Sequence, residues 1–242
     1  VDFIVHSVDD VLKKHFGKSL ASKDVHILDP FTGTGTFIVQ TLTYLKEQMD
    51  AGEISLSDIT RKFMKELHAN EIVLLSYYIA AINIEATFDE INGEEEGYVP
   101  FEGIVLTDTF ESTETEETLT EETLDDDYFG TNDERLKRQQ EVPITAIIGN
   151  PPYAVSSTNK GEWIQNLIAD YKKDLNERNI QPLSDDYIKF IRFGQHFIAK
   201  NGSGVLAYIS NNSFIDGIIH RQMRKNLLES FDSIYILDLH GN

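Results

Sequence analysis

The sequence predicts an α/β fold, a mostly parallel, doubly wound sheet with helices on both faces. Three observations predict it. Val25–Leu28 is an apolar run of strand length that stops at Asp29-Pro30, passes through a turn of small residues containing Gly33 and Gly35, and enters a helical spacing at Phe37, Ile38 and Leu42. Strand, glycine turn, helix is how a doubly wound sheet builds a ligand site at the carboxyl end of its first strand. Further short apolar runs then alternate with helix-period segments, the pattern of crossover units in a parallel sheet. Finally, the apolar run Ile144–Ile148 leads straight into Gly149-Asn150-Pro151-Pro152-Tyr153, a polar amide, two prolines and an aromatic ring where a strand ends.

Taken in order, residues 2–16 place Phe3, Ile4, Val8, Val11, Leu12 and Phe16 on one helical face, and Gly17 suits the position just past that helix. Gly17-Lys18-Ser19 resembles the end of a phosphate-binding loop. No glycine stands five residues earlier, as that motif requires, so the helix-cap reading is preferred. Residues 36–49 form the first crossover helix and 55–63 a short helix in the connection. Strand two is expected at 67–70, ending at Glu71, followed by a strongly apolar helix over 72–86 that is long enough to be buried. Strand three is expected at 104–106, ending near Asp108. Residues 111–127 hold nine acids, many threonines and two near-copies of Glu-Glu-Thr-Leu. Such composition buries too little apolar surface to offset its ordering entropy, so residues 111–135 read as a mobile acidic surface insertion. Strand four is 144–148, a short helix is expected near 162–172, and an amphipathic helix over 187–199. Strand five is 204–210, then a helix over 214–230 with Arg221, Arg224 and Lys225 exposed, then a sixth strand over 233–239.

The 242 residues suit one catalytic domain, or a piece of a larger protein. The start at Val1 and the stop after an apolar run read as an excised fragment with a truncated C-terminal sheet edge. The formal charge of −20 is regional, because residues 66–134 carry 21 acids and no Lys or Arg while the remainder is nearly neutral. That balance does not exclude nucleic acid, though no basic stripe argues for it. There is no cysteine, hence neither a disulfide framework nor a thiolate metal site. The seven histidines lack metal-ligand spacing, and no metal is expected. Without a signal-peptide pattern or an apolar run of membrane length, the expectation is a cytoplasmic protein.

The chemistry follows from the strand ends. A nicotinamide-binding turn would carry a third glycine where Ile38 stands, and an acid about 20 residues on; Glu71 lies much further away. Asp29, read as negative, would repel phosphate and attract an ammonium or sulfonium. Glu71 can accept hydrogen bonds from two ribose hydroxyls, and Asp108 from the exocyclic amine of adenine. One acid at a strand end commonly just caps the next helix. Three around a glycine turn fit S-adenosylmethionine. In the second motif, the Asn150 side-chain oxygen and the Pro151 carbonyl can accept both N–H groups of an aromatic amine, drawing its nitrogen toward a nucleophilic, tetrahedral form. Pro152 stiffens the turn and Tyr153 offers a ring for stacking.

Asp29-Pro30-Phe31-Thr32-Gly33-Thr34-Gly35-Thr36-Phe37, followed later by Asn150-Pro151-Pro152-Tyr153, resembles the cofactor and catalytic motifs of amino methyltransferases, in the order of the γ class of adenine-N6 DNA methyltransferases. Asp2–Val5, Tyr77–Glu85 and Ile209–Phe214 resemble the methyltransferase part of type ISP restriction–modification enzymes. The resemblance implies a Rossmann-like fold and S-adenosylmethionine as cofactor. It implies that Asp29 to Gly35 line the methionine part, that Glu71 holds the ribose and Asp108 the adenine, and that Asn150 to Tyr153 hold the target base. The implied activity is methyl transfer to adenine N6 in double-stranded DNA, with nuclease, helicase and target-recognition regions on the same parent chain. The same four-residue catalytic motif also serves methylation of RNA or of protein glutamine. A cofactor-binding module that does not itself methylate is a further reading.

Overall fold

The computed structural model describes residues 1–93, 97–118, 127–154 and 157–239, without the side chains of 114–118 and 127–130. By internal contacts the chain divides into two units. The first is Val1–Asn150 with Asn201–Ile209; the second is Pro151–Lys200 with Ser210–Asn242.

The first unit is built on a five-stranded sheet. Its strands are β1 (His26–Asp29), β2 (Leu67–Glu71), β3 (Ile104–Leu106), β4 (Ile144–Gly149) and β5 (Val205–Tyr208). The order is β3-β2-β1-β4-β5, and every neighbouring pair is parallel. The order reverses between β1 and β4, the place where open parallel sheets bind ligands beyond their carboxyl ends. β1 and β2 are buried along their whole length, and they carry polar residues into the interior at both ends: His26 and Asp29 on β1, His68, Asn70 and Glu71 on β2.

The helices of this unit are α1 (Asp2–Phe16), α2 (Thr36–Asp50), α3 (Leu56–Arg61), α4 (Leu74–Asn92), α5 (Thr109–Thr118) and α6 (Asp127–Gln140). α1 ends at Gly17 in the left-handed region (φ 63°), with the Gly17 N–H donating to the Leu12 carbonyl. The helix-cap reading of Gly17-Lys18-Ser19 holds. α3 runs into one π-helical turn, Lys62–Glu66, which leads directly to β2. Phe63 is central to the core, stacked on Phe88 at 3.8 Å between centroids.

α4 departs from the expectation of a buried helix. Ala80, Ile84, Phe88 and Ile91 face the core, while Leu74, Leu75, Tyr78, Ile79 and Ile82 are exposed. An all-apolar stretch shows no periodicity, so the sequence could not mark which side lacks a protein neighbour.

Residues 111–135, read as a mobile acidic surface insertion, are attached to the body at their described ends. Thr113 of α5 is buried, next to buried Phe110. On α6, the Asn132 side chain accepts from the Leu106 N–H (2.8 Å) and donates to the Leu106 carbonyl (3.0 Å). A single amide thus substitutes for the missing neighbour at the β3 edge, and Arg135 donates to the Tyr77 hydroxyl at 3.1 Å. The stretch 119–126 at the middle of that reading lies outside the described residues.

The second unit contains α7 (Glu162–Lys172), a 3₁₀ turn (Gln181–Ser184), α8 (Asp186–Asn201, whose last residue falls in the first unit), α9 (Ser213–Asp216) and α10 (Arg221–Ser230). Its core holds Ile164, Ile168, Tyr171, Leu183, Ile188, Phe193 and Met223. The single helix expected over 214–230 is interrupted at Gly217, and Arg224 donates to the carbonyls of Phe214 (2.9 Å) and Gly217 (2.7 Å) across the break. Arg221 and Arg224 are therefore partly buried, against the expectation that both are exposed. Residues 233–239 form no sixth strand among the described residues, although Ile234, Tyr235, Ile236, Leu237 and Leu239 carry the composition of one. A strand needs a partner backbone as well as apolar side chains.

Candidate functional site

The ends of β1, β2 and β3 are bound into one assembly by the turn after β1. Asp29 closes β1 and is 1% exposed. Thr32 turns the chain back: its hydroxyl donates to the Asp29 carbonyl (3.0 Å), and its N–H to the Asn70 carbonyl at the end of β2 (2.9 Å). Gly33 and Gly35 both take positive φ, 58° and 88°, which a side chain would strain. At Gly35 an added Cβ would also come within 3.2 Å of the Ala80 carbonyl oxygen and of Ile84 on α4, so the absence of a side chain lets the turn lie on that helix. Asn83 of α4 donates to the Thr34 carbonyl at 2.9 Å.

Glu71 is brought directly onto the glycine turn. One oxygen accepts from the Gly33 N–H (2.7 Å), the other from the Val73 N–H (2.8 Å) ahead of α4. A carboxylate has four acceptor sites, so both oxygens can still receive further donors such as hydroxyls. Asp108 is tied in less directly. One of its oxygens caps α5, accepting from Phe110 (2.8 Å) and Glu111 (3.2 Å), and the next residue, Thr109, donates to the Pro30 carbonyl at 2.7 Å. The capping role common to acids at strand ends is therefore real at Asp108 and partial at Glu71. It coexists with convergence on the glycine turn.

Asp29 differs from its sequence reading. Its Oδ1 accepts from the Phe31 N–H at 3.2 Å, while Oδ2 is buried without a protein partner. Burial, with Glu71 nearby, pushes this carboxyl up to about 8, so at neutral pH it holds a proton instead of the negative charge expected from sequence. A buried, unpaired acid oxygen beside a glycine turn is what the cationic end of S-adenosylmethionine would satisfy. The residues that would hold such a cofactor are Asp29 at its methionine end and Glu71 and Asp108 at its ribose and base. Pro30 and Thr32 are buried inside the turn, and Phe31 and Thr34 reach its surface.

β4 ends beside β1 at the switch point, with Asn150 next in the chain. Gly149 lies against Asp29 and Phe31, and its N-terminal neighbours Ala146 and Ile147 pair with Ile27 and Leu28 of β1. Asn150 follows at the exposed end of the strand. Pro151, Pro152 and Tyr153 belong to the second unit, where Pro151 is buried and Tyr153 about half exposed. The loop beyond them is anchored to the start of α8. Asp185 accepts from the Ala154 N–H (3.1 Å), and Asp186 from the Asn159 amide (3.0 Å). The buried Lys189 ammonium donates to the Ser157 hydroxyl and the Asn159 carbonyl.

A separate polar group sits at the opposite ends of β1 and β2. His26 Nδ1 and His68 Nε2 are 3.0 Å apart. Buried Lys62 donates to the carbonyls of Ser22 (2.6 Å) and Val25 (2.7 Å) and pairs with Glu66 at 2.8 Å. Burial, then His26, then Lys62 hold the His68 imidazole down near 3. Among the described residues no three metal-ligating side chains cluster, and no helix is long and apolar enough to cross a membrane.

A model of the Eco57I restriction-modification methylase family matches residues 57–242. The chain belongs to this family. Among solved structures, this methylase-family chain is 70% identical to the type ISP restriction-modification enzyme LlaGI, solved as a nuclease-deletion mutant with a DNA substrate mimic (TM-score 0.87; 96% of this chain, 19% of that one). It is 68% identical to the ATP-dependent type ISP enzyme LlaBIII bound to DNA (TM-score 0.86; 94% and 16%). It is 35% identical to DrdV in a DNA complex (TM-score 0.79; 96% and 22%). The chain thus spans about a fifth of the length of these proteins. No curated protein matches it. The fold is the Rossmann-like methyltransferase fold of these relatives.

The sequence missed Asn70, Thr109, Asn83, Gly149 and Tyr208, which hold or adjoin the turn, and Asp185, Asp186 and Lys189, which anchor the loop after Tyr153. Four of them had a signal. Asn70, Gly149 and Tyr208 lie at or one residue from a strand's carboxyl end, and Thr109 three residues past one, the same rule that found the three acids.

Proposed function

We propose that this chain transfers a methyl group from S-adenosylmethionine to the N6 amino group of adenine in DNA, as the methyltransferase part of a type ISP-like restriction–modification enzyme. The observation that carries the reading is that two turns leave neighbouring strands, β1 and β4, where the strand order reverses. The Asp29–Gly35 turn leaves β1 with Glu71 on its backbone, and the Asn150-Pro151-Pro152-Tyr153 turn leaves the adjacent β4. The first suits a cofactor with an ammonium, a ribose and a base. The second offers two acceptors and a ring to a flat amine.

In this reading Asp29, Glu71 and Asp108 bind and orient the cofactor, which supplies an electrophilic methyl group. Asn150 and Pro151 accept the two N–H groups of the target amine and aim its nitrogen. Tyr153 stacks on a base that has left the duplex. The chain contributes positioning more than proton transfer. Membership of the restriction-modification methylase family supports DNA over RNA or protein as acceptor, and the DNA complexes of LlaGI, LlaBIII and DrdV support a double-stranded substrate for the whole protein. The domain reading is of the same kind: residues 1–242 as a methyltransferase catalytic region, with nuclease, helicase and target-recognition regions elsewhere in the parent.

The test is labelled-methyl transfer to mixed duplex DNA by the full-length protein, followed by identification of the methylated nucleoside. The expected product is N6-methyladenine, lost in Asn150→Ala while cofactor affinity is kept. Label on RNA or protein alone, or normal turnover by the variant, overturns the assignment.

A further inference from the structure

Asp29 is buried in a way that ordinary cofactor contacts leave unexplained. It is 1% exposed, receives one long backbone hydrogen bond, and has a second oxygen closed off from solvent that accepts from no protein group. Across the switch point, the Tyr208 ring at the end of β5 packs edge-on against Phe31 with 5.0 Å between centroids, and its hydroxyl is likewise buried without a protein partner. Gly149 of β4 lies against both Asp29 and Phe31. A Cβ there would fall 2.2 Å from the Phe31 ring and 2.8 Å from Asp29 Oδ1. The titratable groups acting on Asp29 are Glu71 on β2 and Tyr208 on β5; β4 presents only Gly149. No Lys or Arg acts on it among the described residues, and a carboxylate buried without a cation is too costly to stay ionised.

We propose that Asp29 is a proton-linked cation acceptor: as the positively charged methionine end of S-adenosylmethionine enters, Asp29 gives its proton to solvent and takes the cation on Oδ2, with the Tyr208 hydroxyl as the pocket's second oxygen. This rests on the reading under Proposed function and adds that cofactor binding is itself pH-dependent. The step breaks the O–H bond of the Asp29 carboxylic acid, leaves the electron pair on the oxygen and passes the proton to buffer; no other bond changes. An ammonium has only donors, and an ionised carboxylate accepts from it far better than a neutral acid whose O–H occupies one of its oxygens, so binding favours ionisation. Tyr208 is not the proton source, because burial, and then Asp29, hold its hydroxyl far above its ordinary titration range.

The experiment is calorimetric titration of the full-length protein with S-adenosylmethionine at pH 6.5 and 7.0, in buffers of differing ionisation enthalpy. That range lies below the about 7.7–8.0 at which an α-amino group titrates, so the cofactor keeps its own charge. An Asp29 carboxyl pushed up to about 8 predicts release of roughly 0.9 proton at pH 7 and an affinity that improves from pH 6.5 to 7.0 at a slope approaching tenfold per pH unit. Asp29→Asn should bind more weakly and release no proton. Tyr208→Phe should release the same proton but bind roughly 3–10-fold more weakly, the effect of one lost hydrogen bond. Wild-type binding without buffer-dependent heat overturns the proposal whether or not the variants fold, and so does undiminished release by Asp29→Asn. Absence of any cofactor binding would instead overturn the function reading, and this inference with it.

Discussion

Glu71 already receives two backbone N–H groups, so it is a structural tie for the glycine turn as well as a candidate ribose acceptor. Glu71→Gln keeps the shape but trades an acceptor for a donor beside the Gly33 or Val73 N–H. Cofactor affinity measured by calorimetry should fall by about 1–3 kcal/mol, the scale for a buried hydrogen bond left unmade. Unchanged affinity would remove Glu71 from the site. His68 makes a different prediction. It titrates near 6.5 in an unfolded chain and near 3 in the fold, so between those values the unfolded chain takes up a proton that the fold refuses. Its contribution to stability is complete above about pH 6.5 and falls as pH drops toward 3, by at most about 1.4 kcal/mol per unit. Asp29 has the opposite sign, because its raised carboxyl contributes most below its ordinary value and loses that contribution as pH rises toward 8. Melting temperatures of wild type and Asp29→Asn should therefore diverge in the variant's favour from pH 5 to 8. Parallel curves would show that Asp29 is ionised in the fold.

At the scale of elements, Ala154, Ser157 and Asn159 are held by Asp185, Asp186 and Lys189 at the start of α8, within the second unit. Lys189→Met keeps the bulk and removes every donor, leaving the Ser157 and Asn159 acceptors unmet. Urea unfolding should show a loss of about 1–3 kcal/mol, and limited proteolysis should cut first within 154–161. A variant as resistant as wild type would show that the loop does not depend on this lysine. The sequence could not announce the arrangement. A buried lysine in an amphipathic helix looks like any other cation until its carbonyl partner, 30 residues away, is folded beside it. What was legible was local: the α1 boundaries, the Gly17 cap, the strand runs and the strand-end acids follow from periodicity and turn chemistry that a few neighbouring residues determine. What escaped needed a partner distant in the chain. Asn132 at the β3 edge was hidden in an acidic, seemingly unpacked stretch. The apolar residues 233–239 promised a strand that pairs with none of the five.

At the scale of the whole molecule, charge and coverage bear on what this chain does by itself. Its formal charge is −20, and phosphate contacts by Lys and Arg dominate affinity for DNA. The relatives solved with DNA are about five times its length. The chain alone is expected to bind the cofactor yet methylate duplex DNA far more slowly than the full-length protein, since extruding a base costs a few kcal/mol that little binding energy here offsets. Equal, sequence-specific rates in a labelled-methyl assay would overturn that. The strand order has a consequence for how the molecule is made. β1 acquires β2 as a neighbour early, but its other neighbour is β4, and His26 pairs with Ile144. At about 5–20 residues per second, a ribosome takes on the order of 6–24 s to deliver the second neighbour. Throughout that interval the nascent chain carries Ile27 and Leu28 on an open strand edge, the feature that recruits stray pairing. A translation pause ahead of Ile144 lengthens this exposure, and a holdase chaperone acting there protects the strand that later carries Asp29.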